Sequence, residues 1–391
     1  MLLDLLSGKE RAPAECVIEV DSRPIVELYP FLIEATVETS RTEAATATLV
    51  FETRRDEIGE WTVQDAFGLD PREPILAEWK PITIRAAFGV REEEVLRGFI
   101  RQVHADYPED AGAARVTVEC QDESMQLDRE HVRKAWGTEQ VPLTDRLILS
   151  ELLAAYSPLA PDPQGAAGQD GLVGINQDGT DIQFLKARAE ANGYELLFRR
   201  GSVYFGPMRL TGTPQPTLMV YAGADTNCLS LKVTSDSHQP DAVQYQAPAA
   251  TGTAGTSEPV RPDLPVLGQS RATSDARGLR PFTWTLSGEA GANETRLRAL
   301  AQRKANDFDI HKVQGEGELD GTLYGHVLLA GQVVGVDGLG SRLSGQYYVD
   351  TVSHSFNAQG YRQRFKLLRN AYGDNLAGGA SLVGSVLSAV V

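Results

Sequence analysis

Two hydrophobic rhythms divide the chain. In its first part the period is two. Cys16, Ile18 and Val20 alternate with polar neighbours in ECVIEVDSRPI, and Thr and Ala alternate in ATATLVFET ahead of Leu49 and Phe51. KPITIRAAFG and VLRGFIRQVHADY follow, then ARVTVECQD, which places Val116, Val118 and Cys120 on one face. Such alternation marks half-buried strands, and the intervening PEDAG marks a turn. Several strands joined by turns predict a barrel or sandwich rather than a parallel α/β sheet.

The middle shifts to a helical period. LTDRLILSELLAAYSP offers Thr144 as a cap ahead of Leu147, Ile148, Leu152 and Ala155, with Pro158 as a stop. APDPQGAAGQDG reads as a loop. Then TDIQFLKARAEANGYELLFRRGSVYFG, residues 180–206, combines three signals. Thr180 and Gln183 have capping-box spacing. Ile182, Leu185 and Ala189 form an apolar stripe, with Lys186, Arg188 and Glu190 facing elsewhere. Asn192-Gly193 supplies a left-handed stop. Tyr194, Leu196 and Phe198 next alternate, Gly201 turns the chain, and Val203 and Phe205 return. The unit is an αββ insert.

From about Asp236 to Gly278, Ala, Gly, Thr, Ser and Pro dominate, which predicts an extended loop or linker. A helix is expected at NETRLRALAQRKANDF, capped by Asn293, before the period returns to two up to Asn370. The two β regions show a weak internal kinship. RGFIRQVHADYPEDAGAARVTVECQD and SGQYYVDTVSHSFNAQGYRQRFKLLR each run glycine, aromatic, aliphatic, Val, His, turn and strand.

Composition narrows the function. At 391 residues the chain can hold two to four modules. A net charge of −16 argues against a general nucleic-acid binder. Cys16, Cys120 and Cys228 are widely spaced and odd in number, which fits reduced core thiols rather than disulfides or zinc. MLLDLLSGKERAP lacks signal-peptide character, and SLVGSVLSAVV is too short to span a bilayer.

The catalytic templates fail one by one. SGKE near Lys9 does not make a phosphate loop. GINQDGTD sets Asn176, Asp178 and Gly179 at calcium-loop positions, but Gly174 replaces the first Asp and Leu185 the last Glu. A turn before the helix is the preferred reading there. Gly335, Gly338 and Gly340 make no dinucleotide fingerprint. The six histidines show no metal spacing, and no GxSxG elbow occurs. His104 and His354 read as structural or solvent-facing, and Glu92–Glu94 as a solvated edge. No catalytic residue, cofactor or metal is therefore expected.

Three segments together carry a resemblance. The 180–206 segment resembles the D-x-x-F-L-x-x-x-A-x-x-x-G-Y pattern of the late control D family, with Asp181, Phe184, Leu185, Ala189, Gly193 and Tyr194 in the matching positions. These are tail-hub proteins of contractile phages, related to the hub portion of VgrG. The last β region is similar too, through Gly331, Val333, Val336, Gly345, Tyr347, Val349, Val352, His354 and Phe365. LRGFIRQVHADY, with Gly98, and VTVECQDESMQL resemble the first-barrel pattern. The likeness runs from about Val17 to Asn370.

The resemblance implies an α+β, mainly β fold: two similar β-barrel tube domains with an inserted αβ region. The boundaries expected are residues 1–125 for the first barrel, 126–235 for the insert, 236–278 for the linker, 279–375 for the second barrel and 376–391 for an apolar tail. It further implies a homotrimer whose six barrels form a pseudo-sixfold ring. That ring would lie under a hexameric inner-tube protein and above a trimeric spike, amid other baseplate subunits. VgrG proteins continue into an OB-fold and a β-helix spike where this chain ends, so the spike is expected to be a separate protein. Synthesis in the cytoplasm and assembly into a baseplate follow, with no nucleic-acid binding beyond passage through the lumen and no membrane insertion. The rival readings are a tail-associated cell-wall hydrolase, which needs convergent carboxylates or metal ligands, and a carbohydrate-binding adhesin, which needs exposed aromatics on a groove.

Overall fold

The computed structural model describes residues 13–67, 73–247, 255–273, 280–286 and 294–376. The SGKE segment, the candidate cap Asn293 and the apolar tail beyond Leu376 lie outside them. Contacts divide the chain into two units. One holds residues 1–208, 319–330 and 351–364, and the other holds 209–318, 331–350 and 365–391. This division departs from the sequence boundaries because two late segments pack with the first unit. The strand Gly345–Asn357, for example, pairs its Thr351–Asn357 part with Leu32–Ser40.

The first unit is built on antiparallel strands whose inward positions the period-two pattern fixes. Ala14–Val20 pairs Pro81–Phe88, which pairs Arg91–Asp106, then Arg115–Asp122, Thr46–Glu52 and Leu32–Ser40. Ile18, Ile84, Ile100, Val118, Leu49 and Val37, one from each strand, share a single core. Because the first and last strands of this run face the same core, the sheet is rolled around it. Among the described residues the pairing path stays open rather than closing into a ring. Each fully buried Ile or Phe contributes roughly 1.5–3 kcal/mol to such a core.

The insert in this unit has its own core. Thr144 caps the helix Asp145–Leu153, and its hydroxyl accepts from Leu147 N. His131–Trp136 pairs antiparallel with Ile175–Thr180, and that strand runs directly into the helix Asp181–Asn192. The expected turn before this helix, like the calcium loop, is replaced by a paired strand. The capping box of Thr180 and Gln183 forms, and Gly193 ends the helix at φ 66°. The hairpin Glu195–Arg199 with Ser202–Gly206 follows. Ile182, Phe184, Leu185, Ala189, Val203 and Phe205 meet in one cluster with Ile148 and Leu152.

In the second unit, Val333–Asp337 pairs in parallel with Gln215–Met219 and antiparallel with the Gly345–Tyr348 part of its strand. Cys228–Ser235 borders Val313–Asp320, and Gly360–Arg369 lies beyond. The stretch expected as one linker contains ordered pairing. Ala242–Ala247 runs parallel to Thr283–Leu286, and Val243 and Tyr245 pack on Leu297, Ala301 and Ala305 of the helix Glu294–Ile310. Its alternating Val and Tyr outweigh the Gly/Pro-rich composition that surrounds them. Cys120 and Cys228 are buried, and burial pushes their thiols up to about 12 and about 11.

Candidate functional site

The insert holds Asp181, Phe184, Leu185, Gly193 and Tyr194, and a polar chain runs from Asp181 to the Trp136 ring that stacks on Phe184. Asp181 opens its helix with the carboxylate turned back. Its Oδ2 accepts the Tyr156 hydroxyl at 2.6 Å, and Oδ1 accepts Gln177 Nε2 at 2.6 Å. Gln177, only 2% exposed, accepts Trp136 Nε1 at 2.8 Å. The Trp136 ring stacks on Phe184, with centroids 6.0 Å apart. One carboxylate thus ties the helix start to the strand pair and to the segment after the preceding helix. Burial, and then the Asp181 anion, push the Tyr156 phenol above its ordinary range, which keeps it a donor. Leu185 lies in the cluster beneath, and Tyr194 meets Phe205 edge-on at 5.3 Å.

A second carboxylate anchors the same helix. Asp145 is 3% exposed, and it accepts Arg188 Nε at 2.6 Å, Gln169 N at 2.8 Å and Asn192 Nδ2 at 2.8 Å. Arg188, which lies off the apolar stripe of its helix, is therefore half of a largely buried ion pair. Of the Glu92–Glu94 run, expected as a solvated edge, Glu92 is exposed, but Glu93 and Glu94 are partly buried and engaged. Glu93 accepts Val327 N at 2.7 Å and lies 2.9 Å from His326 Nδ1. Glu94 accepts Arg97 at 2.8 Å and Arg200 N at 3.1 Å, while Glu123 accepts Gly201 N at 2.9 Å. Arg200 and Gly201 both have positive φ, so two successive amides at the hairpin tip point at two carboxylates.

The remaining motif residues fall into three other sets. Gly98 pairs with Asp122, and a Cβ there would collide with the Gln121 carbonyl oxygen. Only glycine lets those strands approach. Val352 is fully buried, and its carbonyl accepts Thr39 Oγ1 at 3.1 Å. His354 is 1% exposed, with Nδ1 2.9 Å from the Tyr361 hydroxyl. Burial, then the charge of Arg199, lower its pKa to about 3, so the imidazole is neutral. His104, by contrast, is exposed near Glu119.

In the second unit Gly345 and Tyr347 are explained by Arg369. This fully buried guanidinium donates to the carbonyls of Leu267 at 2.9 Å, Leu343 at 2.8 Å and Gly373 at 2.6 Å. It lies over the Tyr347 ring, 4.9 Å from the centroid, and a Cβ on Gly345 would collide with its Nη2. The Tyr347 hydroxyl donates to Leu343 O at 2.7 Å.

The ten motif residues therefore join elements in separate packing sets and do not converge on one cleft. Sequence reading missed Trp136, Tyr156, Gln177, Tyr361 and Arg369. The signal available for Arg369 was a charged residue closing an otherwise apolar strand, KLLRN. Among the described residues, no group of three or more His, Cys, Asp or Glu is placed to hold a metal ion, and no helix is long and apolar enough to cross a membrane. Of the four tryptophans, Trp136 is buried in the insert, whereas Trp79 and Trp284 are exposed in different units.

Residues 71–358 match the family model described as the Alg8 N-terminal domain. The chain belongs to the Alg8 N-terminal domain family. The span of the match runs from the first rolled sheet through the His354 strand, so the Alg8 N-terminal family pattern covers both the insert and Gly345. The sequence matches no curated protein.

Solved structures resemble this Alg8 N-terminal family member along nearly its whole length. The 43 kDa tail protein of prophage MuSo2 from Shewanella oneidensis is 14% identical, with a TM-score of 0.66 over 91% of this chain and 98% of its own. A tail protein from Neisseria meningitidis is 12% identical, with a TM-score of 0.59 over 92% and 97%. An E. coli component of the type VI secretion system, itself described as similar to the T4 tail proteins gp27 and gp5, is 11% identical, with a TM-score of 0.52 over 92% and 79%. The Alg8 N-terminal family chain thus has a tail-protein fold.

Proposed function

We propose that the chain is a structural component of a contractile tail or contractile injection system, and specifically its baseplate hub of the late control D type. Three copies would form a pseudo-sixfold ring joining a hexameric inner tube to a trimeric spike. The observation that carries this reading is the end-to-end likeness to the Shewanella tail protein, which leaves almost none of either chain unmatched. Two further features support it. The long strand Arg91–Asp106 precedes Arg115–Asp122 as Gly345–Asn357 precedes Gly360–Arg369, in keeping with two similar modules per chain. The motif residues are engaged as packing joints rather than left free to react.

On this reading the protein works through shape and interface burial, without a cofactor, and nucleic acid or other cargo passes the lumen without being bound. It is made in the cytoplasm and assembled with other baseplate subunits. Electron microscopy of the purified particle, with subunits assigned, tests it. A threefold ring of this chain beneath a sixfold tube is the expected result. Location in peripheral fibres, or a monomer that degrades cell wall, would overturn it.

A further inference from the structure

In the second unit an enclosed ion pair joins the starts of two strands. Asp241 directly precedes the strand Ala242–Ala247, and Lys312 directly precedes Val313–Asp320. Lys312 Nζ lies 2.5 Å from Asp241 Oδ1, and the two residues are 3% and 5% exposed. An ion pair so far from water incurs a desolvation cost that its own attraction recovers only in part.

The surroundings are those of an acyl-transfer site. Asp241 Oδ2 accepts Phe282 N at 3.2 Å, while Asp241 N donates to Phe282 O at 2.7 Å. The Phe282 amide therefore rests on the carboxylate oxygen that does not face the ammonium, where a tetrahedral oxyanion would need a donor. A further buried acid stands one turn before Lys312. Asp309 O accepts Lys312 N at 3.3 Å, and the Asp309 side chain is fully enclosed. Its Oδ2 accepts from Arg271 and, at 2.9 Å, from Asn370 Nδ2, whereas its Oδ1 has no hydrogen-bond partner among the described residues. Burial raises the Asp309 pKa against the pull of Arg271, and the charges of Lys312 and Asp241 both reach it. Such a carboxyl can relay a proton.

We propose that Lys312 and Asp241 condense with each other into an intramolecular isopeptide bond. The Nζ–Cγ bond forms and the Cγ–Oδ1 bond breaks. The ammonium gives up two protons to Oδ1, directly or through Asp309, and that oxygen departs as water. Oδ2 becomes the amide oxygen and keeps the Phe282 N–H. No oxidant, cofactor or second molecule enters the balance. Two enclosed charges become one neutral amide, and the groups are already held in contact where bulk water is shut out. The bond closes residues 241–312 into a covalent loop and fastens the starts of the two strands together. This goes beyond the hub reading and does not depend on it.

Intact mass spectrometry of the purified full chain, followed by peptide mapping, tests the proposal. The chain should be lighter than its sequence requires by one water, and digestion should yield a branched peptide joining the segment that holds Asp241 to the segment that holds Lys312. Lys312→Arg keeps a cation without an amine that can form this bond, and it should show the full mass. Asp241→Asn should lose ammonia in place of water, since the leaving group changes with the side chain. A native chain of full mass overturns the proposal. So does a missing water that maps to a succinimide at an Asp-Gly pair such as Asp178-Gly179, or one that persists in Lys312→Arg.

Discussion

The Tyr361 hydroxyl lies 2.9 Å from His354 Nδ1, and the same ring stacks on Phe356 with centroids 4.1 Å apart. Burial raises the Tyr361 pKa well above its ordinary range, so the phenol keeps its proton and can donate to a neutral imidazole. Protonating His354 would break this fit and bury a cation. Its pKa falls from 6.5 unfolded to about 3 folded, so the folded state binds fewer protons between those values. Stability from this group is fully present above pH 6.5 and is lost as pH falls toward 3. Between pH 7 and 5 the loss should be about 2 kcal/mol. Urea denaturation at both pH values checks this, and His354→Gln should remove most of the difference.

Glu123 should show the opposite sign. Burial raises its pKa above 4.5, outweighing the Gly201 amide that lowers it. A raised carboxyl pKa means the anion costs stability at neutral pH, and that cost is relieved as pH falls through the folded pKa. Glu123→Gln keeps an acceptor for Gly201 N without the charge. It is expected to match or exceed the native stability at pH 7, whereas Glu123→Ala loses about 1–3 kcal/mol. Thermal denaturation of the three proteins at pH 7 decides it.

Asp181 and Tyr156 should be energetically coupled. Tyr156→Phe deletes a charge-assisted donor, and Asp181→Asn weakens both of the bonds that the carboxylate accepts. Each is expected to cost about 1–3 kcal/mol, with the double variant costing clearly less than the sum. A double-mutant cycle measured by denaturant unfolding reads the coupling. Additive losses would show that the two groups act independently.

Gly345→Ala and Arg369→Lys should resemble each other. The alanine methyl displaces the guanidinium, and the lysine ammonium cannot span three carbonyls in the plane that the Arg fork uses. Losses of about 2–5 kcal/mol are expected for each, because a buried cation is left poorly solvated. The pair should again fall short of additivity, as judged by melting of the full chain.

The strands, both capped helices and the hairpin were legible because each rests on local signals. Thr180, Gln183 and Gly193 act within one helix, and Val116, Val118 and Cys120 need only alternate. The polar joints were not legible, since their partners are distant in sequence. Nothing near Asp145 announces Arg188, and nothing near Gly345 announces Arg369. For the same reason Glu93 and Glu94 read as part of a charged rim until Val327 and Arg200 supplied their partners. The Gly/Pro-rich stretch misled through its average composition, while Val243 and Tyr245 followed the period that decided their burial. The motif positions marked the architecture through glycine and aromatic spacing without disclosing what each residue touches.

The buried thiols give the molecule a pair of internal clocks. Cys120 lies in the rolled sheet of the first unit, and Cys228 begins the edge strand of the second. With pKa values near 12 and 11, neither is ionised enough to react quickly while enclosed. Alkylation at each therefore waits for its own unit to open. The ratio of the two labelling rates reports which part of the chain loosens first under heat, acid or mechanical load, with no probe added to the sequence.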